Sequence, residues 1–123
     1  MWNTDRAEIF RLLWSRWDIR KAKQILAATP SRVVRTCEVK PFESTISRRL
    51  ESGAITIGVR VDWDRVQHDA TIDLTVPIIL GTLEDADLLL DGYHRVAKAL
   101  RTRVATLPCV VLTRDETENV RIR

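Results

Sequence analysis

The sequence is poor in the residues that mark most specialised chains. It has two cysteines, Cys37 and Cys109, too few and too far apart for a disulfide framework or a metal cluster. Four glycines and four prolines exclude collagen-like and linker-like chains. No apolar run approaches the roughly 20 residues that cross a bilayer, and residues 1–6 lack the basic segment and apolar core of a secretory signal. A cytoplasmic location without a membrane partner is therefore expected. There is no Gly-rich Walker loop and no Ser/His/Asp order, and His68 has no companion at metal-ligand spacing, so no metal site is expected.

What is present is the material of one folded domain: 123 residues, 45% hydrophobic and 30% charged, values that exclude a disordered chain. The net charge of +3, from 20 basic and 17 acidic side chains, is unevenly spread. Residues 1–30 carry six basic and three acidic groups, residues 31–66 seven and five, and residues 67–123 seven and nine. A basic N-terminal half suits a phosphate backbone and a solvated helix face equally, which leaves DNA open as a partner.

Residues 4–29 contain neither Gly nor Pro and are rich in Ala, Leu, Arg and Lys, which predicts a helical extension over residues 1–30. Phe10, Leu13, Trp14 and Trp17 fall at i, i+3, i+4, i+7 and would form one apolar stripe. That stripe suits either core packing or a homodimer or partner interface anchored by tryptophan. The pattern restarts out of phase at Ile19, Ala22, Ile25 and Leu26, with Asp18 placed to cap a second segment or to mark a bend. Strands are expected at 33–39 and 55–61, a helical turn in 42–50, and a helix from 62 to 70 capped by Asp62. Pro77-Ile78-Ile79-Leu80 reads as a buried strand closed by a turn at Gly81. Leu88-Leu89-Leu90 is a second buried strand, residues 93–101 a helix, residues 107–113 a last strand, and the tail is polar. Strands alternating with helices give a small mixed α/β (α+β) domain over residues 31–123.

The segment Leu88-Leu89-Leu90-Asp91-Gly92-Tyr93-His94-Arg95-Val96-Ala97-Lys98-Ala99-Leu100 carries the chemistry. It is strand, tight turn, helix. Such a helix start leaves backbone N–H groups unpaired and adds about half a positive charge. Here His94 and Arg95 occupy the first turn, where a cation is disfavoured by about 0.3–1 kcal/mol. A bound anion that collected the amides, the close approach of Gly92 and the Arg95 guanidinium would account for that placement. The plain alternative is an Asp-Gly turn in which Asp91 caps the helix, Arg95 pairs with Asp91 and His94 is a hydrogen-bonded core histidine.

Three blocks in order resemble the ParB/sulfiredoxin superfamily: Pro77-Ile78-Ile79-Leu80, then Leu89-Leu90-Asp91-Gly92-Tyr93-His94-Arg95-Val96-Ala97-Lys98-Ala99, then Leu107-Pro108-Cys109-Val110-Val111-Leu112. The resemblance covers residues 72–113, about a third of the chain. It implies a small α/β domain whose turn and helix start cradle nucleotide phosphates, a triphosphate with Mg²⁺, through Gly92, Tyr93, His94 and Arg95. Sulfiredoxins place a reactive cysteine where this chain has Tyr93, so thiol chemistry does not carry over. Cys109 lies in an apolar strand, where a thiol is usually inert. The helix-turn-helix reader that follows this domain in partition proteins has no counterpart in residues 114–123. Free-serine kinases of the same superfamily use an acidic base near the turn, for which Asp91 and Glu84 are candidates, with His94 a third catalytic candidate.

The remaining acidic cluster, Glu84, Asp85, Asp87 and Asp91, is better read as a solvated loop than as a nuclease metal site. Two function classes follow. One is a nucleotide-dependent switch or phosphotransfer or hydrolysis enzyme, associated with DNA, using the 91–95 turn. The other is a non-catalytic accessory module that dimerises or holds a partner through the tryptophan-rich stripe.

Overall fold

Residues 9–12, 15–45, 63–84 and 86–122 are described by the structure, a computed structural model. Among the described residues, four α-helices, a 3-10 helix and two sheets, one of them mixed, make a small α+β protein, as the sequence pattern predicts. The chain divides into two units. The first is Met1–Arg35, Ile78–Asp91 and Cys109–Arg123; the second is Thr36–Pro77 and Gly92–Pro108.

In the first unit, the backbone of the expected tryptophan-rich helix is instead a strand pair. Strands β1 (Ile9–Leu12) and β2 (Ser15–Asp18) run antiparallel, with Phe10 opposite Trp17. Leu13 and Trp14 lie outside the described residues. The free side of β2 takes the short strand β7 (Arg121–Ile122), with Arg16 opposite Ile122. Helix propensities differ by at most about 0.7 kcal/mol per ordinary residue, so ladder bonds to a distant strand override them. Trp17 is 2% exposed, which makes it a core residue, the first of the two roles its stripe allows, rather than an exposed interface anchor.

The second half of the N-terminal reading holds. Helix α1 (Ile19–Ala28) starts at Asp18, whose carboxylate accepts the Lys21 N–H at 3.0 Å, and it buries Ile19, Ala22 and Leu26. Lys21 Nζ donates to the Asn119 carbonyl at 3.1 Å, and the Asp18 N–H to Val120 O at 2.8 Å, which fixes both ends of this connection.

Strands β4 (Ile78–Leu83) and β5 (Ala86–Asp91) form an antiparallel hairpin, with Leu83 opposite Ala86. Strand β6 (Thr106–Val111) pairs in parallel with β4, Ile78 opposite Cys109 and Leu80 opposite Val111. Gly81 is not the expected turn. It is buried inside β4, where an added Cβ would stand 2.9 Å from Thr117 Cγ2 and 3.0 Å from Leu90 Cδ1. The chain turns at Glu84, which takes φ 55°.

The polar tail also proves structured. Helix α4 (Arg114–Asn119) opens with a capping box in which Thr113 Oγ1 accepts the Glu116 N–H and Glu116 accepts the Thr113 N–H. That Thr-x-x-Glu signature stands in the sequence.

The second unit contains the 3-10 helix Lys40–Thr45, helix α2 (Trp63–His68), helix α3 (Tyr93–Arg101) and the start of β6. Strand β3 (Arg35–Glu38) leads into it, and the Val39 N–H donates to Ala105 O at 3.0 Å. Val39, Phe42, Val66, Ile72, Val96, Ala97 and Leu107 are buried. The expected 55–61 strand and the Asp62 cap fall outside the described residues. Among the described residues no helix is long and apolar enough to cross a membrane.

Candidate functional site

The strand, turn and helix expected at residues 88–101 are present, the helix with the expected limits and the strand longer than the expected 88–90, at Ala86–Asp91. Strand β5 ends at Asp91, Gly92 makes the turn, and α3 starts at Tyr93. Gly92 is buried and sits at φ 110°, ψ 21°, a left-handed conformation that L side chains rarely adopt. Its carbonyl accepts the first helical bond, from the Val96 N–H at 2.9 Å. Gly92 is therefore the N-cap, and Asp91 does not fill that role. Gly92 has no side chain with which to cap the helix, and the first turn of α3 holds no acidic residue. The side-chain acceptor that usually occupies such an end is thus missing from the N-cap position itself.

Arg95 stands in that first turn, and its place has a structural reason. Nη1 donates to Val76 O at 3.0 Å and to Pro77 O at 2.8 Å, the two carbonyls just before β4. Two further cations on the same helix act alike. Lys98 Nζ donates to Ile72 O at 2.7 Å, and Arg101 Nη2 to Gln67 Oε1 at 3.3 Å. At i, i+3, i+6 these three side chains tie α3 to residues 67–77. Arg95, which the sequence offers to a bound phosphate, therefore also fastens the helix. Asp73 lies near this row; the Thr75 hydroxyl and backbone N–H hold its carboxyl below the usual range, with smaller help from the charges of Lys98 and Arg95.

The other candidates are dispersed. Tyr93 and His94 are half-buried at the start of α3. Asp91 lies 3.9 Å from Lys23 Nζ, an α1 side chain only 12% exposed. No local signal in the sequence marks Lys23. Glu84 stands at the hairpin turn, separated from Asp91 by the length of β5, roughly 20 Å at about 3.3 Å per residue, so the two carboxylates do not share a site. Cys109 is buried in β6 and Cys37 is half-buried. Among the described residues no three His, Cys, Asp or Glu side chains gather as cation ligands.

Comparison of the chain with protein-family models, with curated proteins and with solved structures finds no match.

Proposed function

We propose that the protein binds a phosphate-bearing ligand, a nucleotide in the first instance, at the turn formed by Gly92, Tyr93, His94 and Arg95. The observation that carries this reading is the start of α3: a buried left-handed glycine at the N-cap, which supplies no side-chain acceptor, and no acid in the first turn. Backbone N–H groups at such an end, with the helix dipole behind them, favour an anion. The resemblance of residues 72–113 to the ParB/sulfiredoxin superfamily supplies the class, a nucleoside triphosphate. Such a ligand would carry Mg²⁺ on its own phosphates, with Asp91 the acidic side chain next in the chain. Arg95 contributes charge to the site while Nη1 stays on the Val76 and Pro77 carbonyls. Where the ligand is turned over, Asp91 and His94 are the acid–base candidates.

The test is a titration of ¹⁵N-labelled protein with pyrophosphate, CTP and ATP, with and without Mg²⁺, at matched ionic strength. Saturable shifts of the Tyr93, His94 and Arg95 amides are expected. At about 100 times the dissociation constant the ligand should also add about 2.7 kcal/mol of stability. Amides at 93–95 that stay still into the millimolar range for all three ligands overturn the reading.

A further inference from the structure

The opposite end of α3 carries a feature unrelated to the phosphate turn. Within the second unit, a groove of about 690 Å³ opens between the C-terminus of α3, the 103–106 connection and the residues that follow β3. Its floor is Val39, Ala99 and Leu100, and Val104, 37% exposed, forms an apolar lip. The exposed cations Lys40, Arg101 and Arg103 line it together with Glu38 and Glu43, an excess of positive charge.

Arg103 is the unusual member. The end of α3 is a Schellman turn: the Val104 N–H donates to Ala99 O at 2.8 Å and the Arg103 N–H to Leu100 O at 3.4 Å. This turn needs a left-handed residue, a place where glycine is the rule, and Arg103 takes it at φ 59°. The strained backbone presents a guanidinium to the groove that glycine would not supply. The C-terminal end of the helix disfavours an anion; the Lys98, Ala99 and Leu100 carbonyls are held by Thr102, Val104 and Arg103, and the cations Lys40, Arg101 and Arg103 offset what remains.

We propose that this groove binds a small anionic amphiphile, an apolar body on the Val39–Ala99–Leu100 floor with a carboxylate or phosphate head between Lys40 and Arg103. Its volume of about 690 Å³ falls in the range of small-molecule sites, about 300–1,000 Å³.

Octanoate, 1-octanol and octylamine, each titrated below aggregation and followed by amide shifts, test this. Octanoate is expected to move the amides of residues 99–106 saturably, with the other two at least about tenfold weaker. Arg103→Gly keeps the left-handed turn without strain, so the fold survives, and it should raise the octanoate dissociation constant about tenfold. Lys40→Gln should weaken binding in the same direction. Equal affinity for the three amphiphiles, an Arg103→Gly constant unchanged from wild type, or octanoate shifts confined to residues outside 99–106 overturns the proposal. Shifts confined to 92–95 would instead report the phosphate turn.

Discussion

Arg32 and Glu116, 84 residues apart in sequence, meet in a two-point ion pair. Nη1 donates to Oε1 at 2.7 Å, Nη2 to Oε2, and the same Nη1 also reaches Val111 O at 3.1 Å. The guanidinium holds the Glu116 carboxyl below its ordinary value of 4.5, more strongly than burial raises it. Glu116 in turn raises the Arg32 pKa. Because the folded value lies below the unfolded one, the stability the pair supplies is complete above pH about 4.5 and is lost as pH falls through the folded value. Glu116→Gln should cost about 1–3 kcal/mol at pH 7 and flatten the decline below pH 4.5. Urea midpoints from pH 3 to 7 measure both, and a variant that matches wild type throughout would remove the pair from the stability account.

Gly81 and Thr117 form a second long-range contact. The Thr117 hydroxyl accepts the Thr82 N–H at 2.9 Å and donates to Thr113 O at 2.8 Å, so this side chain has little room to move. Gly81→Ala should destabilise by about 1–3 kcal/mol through overpacking. Thr117→Ser, which deletes the offending methyl and keeps the hydroxyl, should recover part of that loss in the double variant. Additive denaturation energies would mean that the crowding is relieved elsewhere, for instance by Leu90.

Arg95 has a cost of removal that needs no ligand. Arg95→Met leaves the Val76 and Pro77 carbonyls without their donor and should lower the stability of the free protein by about 1–3 kcal/mol. An unchanged melting temperature would show those carbonyls satisfied by water and Arg95 dispensable to the fold. Ligand measurements on this variant are best read against its own free state.

Asp69 should titrate abnormally. The Thr71 hydroxyl and backbone N–H and then Arg65 hold its carboxyl down at about 2. The contribution of this turn is therefore complete above the ordinary value of 3.8 and fades as pH falls through about 2. Carbon-13 carboxyl shifts should place wild-type Asp69 there and Thr71→Ala closer to 3.8. A normal titration in both proteins would dissolve the assigned turn.

Trp17→Ala removes a core residue opposite Phe10 and should cost about 3–5 kcal/mol. A variant of wild-type stability with a later gel-filtration volume would restore the reading of this residue as an interface anchor.

The parts of the fold legible in advance are those whose signals are local. The Asp18 cap, the Asp91-Gly92 break and the limits of α3 each lie within a few residues of what determines them. The strand pair at 9–18 was not legible, because Phe10 and Trp17 satisfy a helical period and a hairpin register at once, and the strand that completes their sheet, β7, pairs Arg121 with Trp17 from 104 residues away. Gly81 looked like punctuation because nothing near it reveals Thr117. In the candidate site, Gly92 was readable from its dipeptide, whereas the partners of Arg95 and the approach of Lys23 to Asp91 depend on long-range packing. The left-handed Arg103 has no sequence marker, since the glycine that usually announces such a turn is absent.

The sheet order β1-β2-β7 also sets a timetable. On a ribosome adding about 5–20 residues per second, β2 emerges many seconds before the strand that completes its ladder. Throughout that interval Trp17 and an unpaired strand edge stand exposed, a form prone to pairing with other chains. The first unit therefore folds late and from distant pieces, which favours slow folding for so short a chain and makes chaperone contact with residues 9–18 most valuable before residue 122 is made.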